Sequence, residues 1–251
     1  MTEQANATGS GAAAGPIEPR RVDAGRGVNW WTEAWTLFTR SAGVWIAMTL
    51  ILIGIFVVLG LIPLLGSLAI SLSLPVLAGG WMAAARKADT GGAAQIGDLF
   101  SGLREKLSPL AAIGAATLAA SLAVGFVAVM LGAGGVLGMI TGGMHGSGRD
   151  VMAGLSLGML GVLIALALSL VVGMAVWFAP ALVVLRDVAP GEAMKASFAA
   201  CMKNTVPFLV FGALYLVAAI VASIPFGLGW VVLIPVLMLT MYASYKDVFG
   251  D

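Results

Sequence analysis

Few side chains in this sequence could do chemistry, and they do not converge on one reaction. His145 stands near Met139, Met144 and Met152, and imidazole with thioethers is a donor set that suits Cu(I). Methionine occurs 13 times in the chain, however, so this neighbourhood reads as a solvated loop and no metal site is expected there. The single cysteine, Cys201, has no partner for a disulfide and reads as a small apolar residue on a half-buried helix face. Hydroxyls are more numerous: Thr49, Ser67, Ser71, Ser73, Thr117, Ser121, Ser169, Tyr215, Ser223 and Thr240 fall in apolar stretches. Each can bond to its own helix backbone, and a nucleophile among them would need a base that no apolar stretch supplies.

Other reactions fail on their ingredients. A metallopeptidase needs clustered His and Glu, and the sequence has one histidine. No Gly-Lys-Ser or Gly-Lys-Thr run is present to cradle a phosphate. The apolar stretches hold no carboxylate, so a proton-driven carrier would lack its usual relay. No catalytic, cofactor-binding or metal-ligating residue is therefore expected, no cofactor is implied, and the chain is expected not to be an enzyme. With a net charge of +1 and no concentrated basic face or tail, a nucleic-acid partner is not expected either.

The elements around these residues are easier to read. Of 251 residues, 60% are hydrophobic and 10% charged, against roughly a quarter charged in ordinary soluble domains. The charges gather in short clusters separated by long uncharged tracts. Each tract exceeds the roughly 18 to 20 residues that cross a hydrocarbon core about 30 Å thick. Pro63 divides the first tract into spans at 42–62 and 64–85, and Pro225 divides the last into 205–224 and 226–245. Between them, apolar arms at 109–131 and 152–185 flank a Gly-rich segment, 132–148, that is expected to be a loop. The fold class is thus all-α: a polytopic membrane protein with six transmembrane helices.

With six spans, all but one of the 13 basic residues fall on one side, and Arg149 alone falls on the other. Cytoplasmic loops carry excess Lys and Arg, so both termini are expected in the cytoplasm. The spans form three pseudo-repeated hairpins, at about 28–89, 95–187 and 190–248, each preceded by a short interfacial amphipathic helix. Trp31, Trp35 and Phe38 mark the apolar face of the first such helix, Ile96, Leu99, Phe100 and Leu103 the second, and Met194, Phe198, Cys201 and Met202 the third. A proline recurs in the second span of every hairpin, as Pro75-Val76-Leu77, Pro180-Ala181-Leu182 and Pro235-Val236-Leu237. Residues 1–27 are expected to be a disordered cytoplasmic tail, and 28–251 a single membrane domain.

Several of these strings carry a resemblance. Arg20-Arg21-Val22, Ala24-Gly25-Arg26-Gly27 with Trp30 and Glu33-Ala34-Trp35, the Pro-Val-Leu repeats and the closing Tyr242-Ala243-Ser244-Tyr245-Lys246-Asp247-Val248-Phe249-Gly250 resemble an uncharacterised family of proteobacterial inner-membrane proteins. More distantly, the chain is similar to the membrane domain attached to some glycerophosphodiester phosphodiesterases. The resemblance implies a bacterial inner-membrane location and transfers no functional residue. The role expected is non-enzymatic: structural, assembly or partner-binding. The alternative is a permease or lipid-handling protein for a neutral or apolar substrate. The lipid bilayer is the first partner, and a protein partner or second copy would pack through small-residue faces such as Gly154 with Gly158, Ala115 with Ala119 and Ala116 with Ala120.

Overall fold

The computed structural model describes residues 17–250, and every regular element among them is helical. In chain order these are α1 (Arg26–Arg40), α2 (Ala42–Gly60), α3 (Leu65–Asp89), a 3-10 segment (Ile96–Phe100), α4 (Ser101–Glu105), α5 (Leu107–Met144), α6 (Gly148–Trp177), α7 (Ala179–Arg186), α8 (Pro190–Lys203), α9 (Thr205–Ser223) and α10 (Trp230–Phe249). Six stretches among the described residues are long and apolar enough to cross a membrane: α2, α3, α5, α6 continuing into α7, α9 and α10. The all-α, six-span architecture expected from the tracts is the architecture found.

Proline places the short turns. Pro63 separates α2 from α3, and Pro225 lies in the turn between α9 and α10. The residues that follow these prolines, Leu64 and Phe226, both take positive φ, 62° and 53°. That conformation costs a residue with a Cβ of order 1 kcal/mol, and here it reverses the chain within a few residues. Pro75 and Pro235 sit inside α3 and α10. Pro180 acts differently: the long helix breaks at Phe178 and α7 restarts with the proline in its first turn.

The Gly-rich segment 132–148 is not the loop its composition suggested. α5 runs through it to Met144, and the turn is confined to 145–147 before Ser147 caps α6 by accepting from the Asp150 N–H at 3.3 Å. The glycines are there for close approach. A Cβ at Gly135 would lie 2.8 Å from the Gly154 carbonyl oxygen, one at Gly154 would lie 2.6 Å from the Gly135 carbonyl oxygen, and one at Gly142 would lie 2.6 Å from the Val151 nitrogen. Two helices packed backbone to backbone need a hydrogen atom at each of these positions. Composition does not distinguish that need from a flexible loop.

Helices α3 and α10 form the centre, with 56% of their most apolar windows buried, against 6% for α5 and for α6 with α7. Trp45 stacks on Trp81 at 6.0 Å, and its indole N–H donates to the Leu37 carbonyl at 3.2 Å. Tyr242, Tyr245 and Phe178 fill the same fully buried core.

The short helical segments also pack on the protein, on faces offset from those expected. In α1 the buried residues are Gly27, Trp30, Ala34, Leu37 and Phe38, while Trp35 is 52% exposed. The second segment is a 3-10 turn followed by a single α turn, and of its four expected apolar contacts only Leu99 is fully buried. In α8 the buried set is Ala193, Ser197, Ala200 and Cys201, and Met202 faces out. Ala34 in α1 and Ala193 and Ala200 in α8 let these helices sit close against their neighbours, with Trp30, Leu37 and Phe38 filling the core beside them, while Trp35 and Met202 face the surroundings.

Of the expected tail at 1–27, residues 1–16 lie outside the described residues. From Ile17 onward the chain is held: the Arg20 N–H donates to the Val248 carbonyl at 2.7 Å, and α1 begins at Arg26.

Candidate functional site

The basic residues meet at one end of the helices, where most of the acids are already engaged. Asp247, on the last turn of α10, accepts from Arg26 Nε at 2.6 Å and from the Trp30 indole N–H at 2.9 Å. Arg26 also reaches Glu33 at 2.9 Å, and the hydrogen bond to Asp247 is the main cause of its raised pKa. Asp89, at the end of α3, accepts from Lys246 at 2.8 Å and from the Tyr242 hydroxyl at 3.1 Å. Lys87 pairs with Asp98, and Lys106 with Asp187. Arg186 donates to the Tyr245 hydroxyl at 3.1 Å and to the Phe249 carbonyl at 2.7 Å. These contacts tie the ends of α1, α3, α7 and α10 together and neutralise their charge. Arg149 sits at the opposite end, in the first turn of α6.

Two further polar residues hold backbone. Asn204, 1% exposed, donates through Nδ2 to the Arg20 carbonyl at 2.8 Å and accepts from the Val22 N–H at 2.8 Å, clamping the described N-terminal segment against the α8–α9 junction. Ser197 repairs the break at Phe178. Its hydroxyl accepts from the Phe178 N–H at 2.9 Å and donates to the Met174 carbonyl at 2.6 Å, so it stands between two groups that a continuous helix would bond to each other. Neither role has a sequence signature beyond a polar residue between apolar ones. A hint was the proline two residues after Phe178, which announces a broken ladder without naming what mends it.

The side chains singled out as potential donors lie at separate places. The described residues contain no group of three or more His, Cys, Asp or Glu able to hold a metal. His145 caps the end of α5, its Nδ1 2.7 Å from the Thr141 carbonyl, and Met144 and Met152 point outward at 79% and 63% exposure. Burial raises the Cys201 thiol to about 12, and its Sγ lies 3.6 Å from the Met174 carbonyl, so it stays protonated and unreactive at neutral pH. Of the small-residue pairs, Gly154 and Gly158 do line the α5–α6 contact. Ala115, Ala116 and Ala119 are exposed, and the close approach of α5 to α3 is made instead at Gly114, where a Cβ would lie 2.8 Å from the Leu72 Cα.

Two concavities border α1. A polar pocket of about 220 Å³ at the charged end is lined by Glu33, Thr36, Leu37, Arg40, Asp89, Tyr242, Ala243 and Lys246. An apolar cleft of about 740 Å³ lies between α1, α9 and α10, walled by Trp31, Trp35, Ala218, Val221, Ala222, Pro225, Gly229, Val232, Leu233 and Val236, with Thr32 and Thr36 at its α1 edge. Thr36 belongs to both. The indole nitrogen of Trp31 is shielded from solvent and has no hydrogen-bond partner among the described residues.

A probable inner membrane protein of Burkholderia thailandensis is 28% identical to this chain over 253 residues, covering 91% of the chain and 93% of that protein. No family model matches the chain, and no solved structure matches it. Likeness along nearly the whole length, together with six apolar helices, supports an inner-membrane, multi-pass protein. Nothing in the likeness connects the chain to a glycerophosphodiester phosphodiesterase.

Proposed function

We propose that this chain is a non-enzymatic assembly protein of the bacterial inner membrane. Both termini are cytoplasmic, and the α5–α6 hairpin receives a second copy of the chain or another membrane protein. The three hairpins are read as pseudo-repeats whose middle copy has been lengthened for this contact.

The observation that carries the reading is the length and apolarity of the hairpin. Its arms are 38 and 39 residues, whereas α2 and α9 have 19 each. At 1.5 Å per residue, 38 residues make a rod of about 57 Å, nearly twice the hydrocarbon thickness of about 30 Å. The distal part is not polar. Val136, Leu137, Ile140 and Met159 are 53–68% exposed, and between the arms a shallow apolar groove of about 470 Å³ is floored by Gly132, Gly135, Gly154 and Gly158. Apolar surface carried past the hydrocarbon core favours a protein cover.

Single cysteines at Val136 and Met159, in a Cys201→Ala background, test this in native membranes with a short bifunctional crosslinker. Crosslinked species of defined mass are expected at both positions and not at Leu216 on α9. A hairpin that yields only monomer at both positions would end the reading. The lipid-handling alternative has one observation in its favour, the apolar cleft between α1, α9 and α10.

A further inference from the structure

The cleft between α1, α9 and α10 lies between two spans. Its walls come from the turn-proximal parts of α9 and α10. Where those helices meet, they close on each other: a Cβ at Gly229 would lie 2.5 Å from the Ala222 Cα. At the other end α1 wedges them apart, with Trp31 stacked on Phe211 at 5.5 Å. The result is a concave apolar space closed at the turn and roofed by α1. Its volume, about 740 Å³, falls within the roughly 300–1,000 Å³ usual for ligand sites.

The roof supplies a polar path. Thr32, Thr36 and Arg40 are spaced four residues apart, lie on one side of α1 and are all exposed. Thr32 and Thr36 edge the cleft, and Thr36 and Arg40 line the neighbouring polar pocket. Within that pocket Glu33 shares Arg26 with Asp247, and Arg40 stands apart from the ion pairs. Lys246 pairs with Asp89, and Glu33 with Arg26, while Arg40 makes no ion pair or hydrogen bond among the described residues.

We propose that the cleft binds one phospholipid, with an acyl chain along the apolar walls and the phosphate on Arg40. Apolar walls supplied by two membrane-length helices suit an occupant dissolved in the bilayer. The near absence of polar groups in the walls disfavours a peptide, whose backbone would go unsatisfied there. Arg40 brings a guanidinium with no ion-pair or hydrogen-bond partner among the described residues, whose donors a phosphate diester can accept, and the threonines, whose hydroxyls are engaged by backbone carbonyls, place no competing donor or charge along the path. This is a defined site for one lipid, distinct from the general contact every span makes with hydrocarbon. It stands independently of the hairpin's partner.

The full chain, stripped of lipid in detergent and titrated with phosphatidylglycerol under native mass spectrometry, should saturate at one tightly held lipid. Ala218→Trp fills the cleft and should abolish that species. Val221→Trp does the same from a 59% exposed position at the rim, where it cannot disturb the core. Arg40→Gln should weaken binding about fivefold, and Arg40→Lys should restore most of it. Lipid adducts that never saturate, or that survive both tryptophan variants, would mean annular contact only and would overturn the site. So would inorganic phosphate binding at Arg40 that the tryptophan variants leave unchanged. Crosslinking at Val136 and Met159 in the same variants reads the hairpin separately, because the cleft lies on other helices.

Discussion

Ser197 shows how much a single hydroxyl can carry where apolar side chains dominate. Pro180 removes one backbone donor, the helix breaks at Phe178, and the Phe178 N–H and Met174 C=O both turn to Ser197, which is fully buried. Ser197→Ala leaves the Phe178 N–H unpaired in an apolar setting and the Met174 C=O with only the weak Cys201 thiol donor, and an unmade buried bond costs about 1–3 kcal/mol. Thermal unfolding of the detergent-solubilised protein should therefore show a drop of several degrees. Ser169→Ala, on the exposed face of α6, should stay near the parent. Equal midpoints for the two variants would show that Ser197 does not bridge the break. None of this was legible beforehand, because a serine four residues before Cys201 reads the same whether its hydroxyl serves its own helix or another. Asn204 was hidden for a similar reason. Its partners, Arg20 and Val22, are more than 180 residues away in sequence and were expected to belong to a disordered tail.

At the scale of elements, uncharged length was a sound guide and glycine content a misleading one. Each span is bounded by charge or proline, and both act locally, so boundaries such as Pro63 and Pro225 could be placed from sequence. Segment 132–148 could not, because glycine serves equally in a loop and in a helix pressed against another backbone. The structure separates the two uses position by position. Gly154 has backbone within 2.6 Å of its missing Cβ, whereas Gly158 has open space there. Gly154→Leu should force the arms apart and destabilise the hairpin by about 1–3 kcal/mol. Gly158→Ala should be neutral or stabilising, by up to about 1 kcal/mol, since alanine favours helix and nothing obstructs it. Hydrogen exchange across 132–160 provides the measurement, and faster exchange in Gly158→Ala than in Gly154→Leu would refute the packing described. The offset faces of α1 and α8 teach the same lesson, for helical spacing located the apolar residues while small ones such as Ala34 and Ala200 marked the protein side.

Across the whole molecule, charge was the most informative signal. Of the 13 basic residues only Arg149 falls on the far side of the spans, and the ion pairs Arg26–Asp247, Lys246–Asp89 and Lys106–Asp187 join helix ends that the span count had already put on one face. Such a distribution sets orientation during insertion, because basic loops are retained on the cytoplasmic side. It predicts which positions a reagent unable to cross the membrane will reach. In a Cys201→Ala background, a cysteine at Met144, near the hairpin tip and 79% exposed, should react with an impermeant maleimide added to intact spheroplasts. A cysteine at Glu192, on α8 with its side chain 67% exposed, should react only after the membrane is opened. Both side chains are largely exposed on the chain, so a difference between them reports sidedness and not burial in the fold. The reverse pattern would invert the protein and move Arg40 and its pocket to the periplasmic leaflet. Labelling of both sites from outside would break the six-span count itself, since an even number of crossings returns the chain to its starting side, and α8 and the hairpin tip are separated by one.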